Sequence, residues 1–107
     1  MEMVVLYLEG CPNRELAESR ARLAFERAGA SGKVRSKRIE SAADAGLLDF
    51  RGSPTLLLDG VDVFGEASSP YGVACRLYRT ENGLEGSPSL EDLMRAIARS
   101  ERVAGDD

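Results

Sequence analysis

The sequence predicts an α/β domain built on a four-stranded mixed sheet, with elements in the order β-α-β-α-β-β-α and helices on both faces. Three observations carry this expectation. A continuous apolar run at residues 3–8 gives way to helical periodicity over 13–28, and a second strand–helix alternation follows at 33–49. Between two further apolar runs lies Asp59-Gly60, a two-residue hairpin signal. A strand–helix–strand unit requires a parallel pair and a tight hairpin an antiparallel one, so the sheet is mixed. With 107 residues, 43% of them hydrophobic, the chain suffices for one domain with a small, mainly aliphatic core.

Each element has its own signal. Val4, Val5, Leu6, Tyr7 and Leu8 read as a buried strand, broken by Glu9-Gly10-Cys11-Pro12. Leu16, Ala17, Ala21, Leu23, Ala24, Phe25 and Ala28 form the inner stripe of the first helix, with Gly29 as its stop. Residues 33–39 are a polar, outer strand. Ser41 opens a short helix that runs to about Asp49, with Asp44 completing a capping box. Ser53-Pro54 leads into Thr55–Leu58, and residues 61–64 return after the turn. Leu90, Leu93, Met94 and Ile97 follow a helical spacing behind Ser89 as N-cap, and residues 103–107 read as a frayed acidic tail. Between Gly65 and Ser87 the pattern is irregular, with a strand-like island at residues 74–78 and a turn at Glu81-Asn82-Gly83.

Composition narrows the chemistry. The formal charge is −4 and the arginines are scattered along helical stretches, which argues against a nucleic-acid footprint. The first apolar run has no basic leader and is too short for a signal or a membrane span, so a cytoplasmic protein without membrane contact is expected. There is no histidine, which removes histidine acid–base and metal chemistry; two cysteines alone do not make a structural zinc site. Asp44 and Asp49 read as cap and solvated surface rather than an acid/base pair. Tyr71 and Tyr78 read as packing residues before ligand-stacking ones.

The element order, with Gly10-Cys11-Pro12-Asn13-Arg14 after the first strand and Gly52-Ser53-Pro54-Thr55 before the third, resembles the thioredoxin-like superfamily. It is most similar to small bacterial thioredoxin- or glutaredoxin-like proteins, over residues 3–65 and 88–100. The resemblance implies a thioredoxin-like fold and a cis Ser53–Pro54 bond facing Cys11. It also implies a substrate surface made by Pro12, Arg14, Ser53, Pro54 and Thr55. Two departures stand out: Arg14 occupies the place of the family's second cysteine, and roughly twenty residues, 66–87, are inserted before the last helix and carry Cys75.

Cys11 precedes a helix, where amide donors and the positive helix end lower a thiol's pKa, and Arg14 would add positive charge. Pro12 suits the first helical position. These features make Cys11 the candidate nucleophile of thiol–disulfide exchange with glutathione or a protein thiol, without a cofactor. Strand direction brings the insertion out on the Cys11 edge, so Cys75 is either a resolving partner or a small core residue. The alternatives are a redox-inactive binding module on the same fold and a soft-metal site between Cys11 and Cys75.

Overall fold

The computed structural model describes residues 1–48, 50–64 and 76–105. Its elements are β1 (Glu2–Tyr7), α1 (Arg14–Ala28), β2 (Lys33–Arg38), α2 (Ala42–Leu47), β3 (Thr55–Leu58), β4 (Tyr78–Thr80), β5 (Gly83–Glu85) and α3 (Leu90–Gly105). The molecule is α/β, with three strands in one mixed sheet ordered β2-β1-β3 and two in a separate β4-β5 ribbon.

Apolar β1 takes the centre of the sheet. It runs parallel to β2 from Glu2↔Lys33 to Tyr7↔Arg38 and antiparallel to β3 from Met3↔Leu58 to Leu6↔Thr55. Polar β2 lies at the edge, where its charged side chains reach water. Alternation then sorts the core into two layers. Met3, Val5, Leu56 and Leu58 face α1 and α3, joining Ala21, Phe25, Leu93 and Ile97. Leu6 and Leu57 face α2, joining Ile39, Ala45 and Phe50. Helices therefore cover both faces.

The local signals are met at most termini. Ser41 caps α2 by accepting from Asp44 N at 3.1 Å, and Ser89 accepts from Asp92 N at 3.1 Å at the start of α3. α1 stops at Gly29. The expected inner stripe of α1 is narrower: Ala17, Ala21, Ala24 and Phe25 are buried, while Leu16 and Leu23 lie on its flank, 39% and 36% exposed. Alanine on the buried face lets α1 pack closely against its neighbours, and the bulkier leucines stay at the rim. The helical backbone of α3 continues through Gly105 rather than fraying at 103. Asp49 and the last two residues lie outside the described ones.

The expected fourth strand does not form. Asp59 and Gly60 both adopt positive φ, 49° and 87°, and Leu58 and Val61 exchange both backbone hydrogen bonds across them, as a two-residue hairpin requires. Pairing then ends after the single Leu58↔Val61 bridge. The physical cause is Asp62: its Oδ1 accepts from Phe64 N at 3.0 Å, a local turn that competes with a ladder. The 74–78 island falls partly outside the described residues. From Tyr78 onward the chain forms the β4–β5 ribbon, turning at Glu81-Asn82. Among the described residues no helix is long and apolar enough to cross a membrane.

Candidate functional site

Cys11 lies where β1 hands over to α1. Its N–H donates to Leu8 O at 3.0 Å and its carbonyl accepts from Arg14 N at 3.5 Å, so residues 8–14 fold as consecutive tight turns. The thiol is free and half-buried. Pro12 is not the first helical residue, as its ring chemistry suggested. The turn closed on Cys11 O spends Pro12 and Asn13, and α1 begins at Arg14 with Asn13 as N-cap. The Asn13 side chain makes no cap bond and lies instead against Gly86, where an added Cβ would come within 2.2 Å of it. A larger residue at 86 would have to displace the Asn13 side chain.

The segment entering β3 lies at the same end of the sheet. Ser53 and Pro54 are buried and joined by a cis peptide bond, in agreement with the expectation. Ser53 Oγ accepts from Leu8 N at 3.0 Å, three residues before Cys11, which ties the two loops together. Thr55 Oγ1 donates to Gly52 O at 2.6 Å and accepts from Arg51 N at 3.1 Å. Three of the expected site residues, Cys11, Ser53 and Pro54, thus share one edge of the sheet.

Behind them lies a polar latch that sequence reasoning missed. Arg76, 8% exposed, makes a two-pronged ion pair with buried Asp62 at 2.7 and 3.3 Å and reaches Thr55 Oγ1 at 3.4 Å. Its backbone N–H donates to Ser53 O at 3.0 Å. Tyr78 lies under the guanidinium, 4.5 Å from Cζ to the ring centre, and donates its hydroxyl to Pro54 O. Both carbonyls flanking the Ser53–Pro54 bond are therefore engaged by the segment 76–78. Burial pushes the Tyr78 phenol far above its ordinary range; Arg76 opposes the shift, while Asp62 and a charge on Cys11 add to it. The available signal was an inverted alternation: in Val61-Asp62-Val63 the acid points in and Val61 is 60% exposed.

Arg14 is not aimed at the thiol by any hydrogen bond. Its guanidinium stacks over Tyr7, 4.5 Å from the ring centre, and lies 3.9 Å from Glu18. Pro12 is exposed, and Thr55 belongs to the latch rather than to the open surface. Cys75 and Tyr71 lie outside the described residues, so the Cys11–Cys75 pairing has no geometry to report. The described flanks of the insertion do reach the expected edge, Arg76 at Ser53 and Gly86 at Asn13. Among the described residues no group of three or more Cys, Asp or Glu is placed to hold a metal ion. No protein-family model, curated protein or solved structure matches the chain, and what this site does is read from its own residues.

Proposed function

We propose that this chain is a thioredoxin-like protein of thiol–disulfide exchange in which Cys11 is the nucleophile. The carrying observation is the placement of a free, half-buried thiol in the turn that opens α1, tied to the buried Ser53 through Leu8. A mixed sheet of order β2-β1-β3 with helices on both faces supports the thioredoxin-like reading, although it lacks the fourth strand.

In the exchange, the Cys11 thiolate attacks one sulfur of a disulfide in glutathione or a protein. A Cys11 mixed disulfide forms and the other sulfur leaves as a thiolate. A second thiol then attacks the mixed disulfide and returns Cys11 to its reduced form or leaves it in a new disulfide. Cys75 is the internal candidate for that thiol, since it is one peptide bond from Arg76, whose N–H holds Ser53 O. Pro12 at the exposed mouth would bound the substrate, with buried Ser53 and Pro54 as support behind it. Arg14 would act at the rim.

The test is exposure of the reduced protein to glutathione disulfide near neutral pH, followed by intact mass and peptide mapping. One glutathione adduct on Cys11, lost in Cys11→Ser and accumulating in Cys75→Ser, is expected. An unmodified Cys11 beside a modified Cys75 would overturn the assignment, and no adduct on either would leave the binding-module reading in its place.

A further inference from the structure

The β1–β3 ladder runs antiparallel from Met3↔Leu58 to Leu6↔Thr55, and one further step brings Ser53 opposite Leu8. There Ser53 Oγ accepts from Leu8 N at 3.0 Å, and Leu8 O accepts from Cys11 N at 3.0 Å. The entry to β3 is thus linked to the Cys11 turn through one residue. A strand edge so close to a reactive thiol is where an extended polypeptide docks, because its own N–H and C=O groups continue a ladder.

In this protein the chain itself has taken that place. β1 holds one side of β3, and the acceptors at the entry are spent internally: Ser53 O on Arg76 N–H at 3.0 Å, and Pro54 O on the Tyr78 hydroxyl. Ser53, Pro54 and Thr55 are each less than 2% exposed. The covering segment is fixed as well as adjacent. Arg76 is paired with buried Asp62 and stacked on Tyr78, and Tyr78 meets Phe64 edge-on, ring centres 6.0 Å apart.

Granted thiol–disulfide exchange at Cys11, on which this inference rests, we propose that Asp62, Arg76 and Tyr78 determine its substrate specificity. They seat the 76–78 segment against the β3 entry, so Cys11 attacks small disulfides and discriminates against a disulfide carried in an extended polypeptide. A small disulfide needs only the open side of the turn, where Pro12 is exposed and Cys11 half-buried. A polypeptide brings residues on both sides of its cysteine. These must either displace the 76–78 segment, which breaks a buried ion pair, or dock without main-chain pairing. The bonds exchanged are the same in both cases: the Cys11 thiolate joins one sulfur, and the other leaves as a thiolate.

The test uses the full chain carrying Cys75→Ser, in which Cys11 is the single thiol. Its two substrates share a thionitrobenzoate leaving group, one built on glutathione and one on the central cysteine of a short unstructured peptide. Release of the coloured thiolate gives each rate, normalised to that of the same disulfide with free N-acetylcysteine. The peptide disulfide should react about tenfold more slowly than the glutathione one, or worse. Tyr78→Phe, which frees Pro54 O, and Asp62→Asn, which removes the counter-charge of Arg76, should each raise the peptide-to-glutathione ratio severalfold. Faster hydrogen exchange at Arg76 N–H should accompany the rise. Tyr78→Phe loses a single hydrogen bond and keeps the comparison open if Asp62→Asn does not fold. Equal normalised rates in the parent chain, or a ratio unchanged in the folded variants, would overturn the proposal while leaving exchange at Cys11 intact. No release from either disulfide would overturn the exchange itself, and the specificity with it.

Discussion

The two edges of the three-stranded sheet solve the same problem in opposite ways. β2 is an outer strand whose free side is left to water and defended by charge: Lys33, Arg35, Lys37 and Arg38 are all exposed. β3 has four consecutive buried residues, and the chain returning from the hairpin does not extend its ladder. Its entry is covered instead by the 76–78 segment, clamped through Arg76, Asp62 and Tyr78. Each edge holds an arginine–carboxylate pair of similar length, Arg35–Glu2 at 3.0 Å and Arg76–Asp62 at 2.7 Å. What differs is solvent. The first pair is 67% and 42% exposed, the second 8% and 3%. A contact distance therefore says little about strength until burial is known.

Breaking the buried pair should have the largest effect. Asp62→Ala leaves the Arg76 guanidinium buried without its counter-charge and is expected to cost about 3–5 kcal/mol in chemical denaturation. Replacing both partners with leucine should restore most of that loss, because the penalty lies in the orphaned charge. A double variant as unstable as Asp62→Ala would mean that the latch contributes specific geometry as well.

The pH dependence of Tyr78 sharpens the same contrast. Its phenol titrates far above the unfolded value near 10, so the folded state holds the proton more tightly than the unfolded chain. Stability from this group is complete below that value and falls as pH rises beyond it. Tyr78→Phe loses the hydroxyl bond to Pro54 O and about 1–2 kcal/mol near neutrality. Its stability should decline less than that of the parent from about pH 9 to 11 in urea titrations, so the two curves converge. Parallel curves would assign the alkaline loss to other groups.

The smallest effect is expected at the open edge. Arg35→Ala removes an exposed pair worth about 0–1 kcal/mol, and moderate salt should abolish the difference. A loss comparable to that of Asp62→Ala would erase the distinction between the edges.

The sequence by itself determined the parts whose cause is local. Apolar continuity in β1, polar composition in β2, the Ser41 and Ser89 caps and the Asp59-Gly60 turn were each legible, because periodicity, capping and turn chemistry act within a few residues. Cys11 and Ser53-Pro54 were singled out through the resemblance to thioredoxin-like proteins, and the fold brings both to one end of the sheet. Tertiary structure alone decided that Asp62 leaves the expected fourth strand to meet Arg76, that Tyr78 reaches Pro54, and that Asn13 lies against Gly86. A buried ion pair leaves no periodic trace. Each partner taken alone belongs in water, and only the fold that removes both from solvent makes their pairing the lower-energy arrangement.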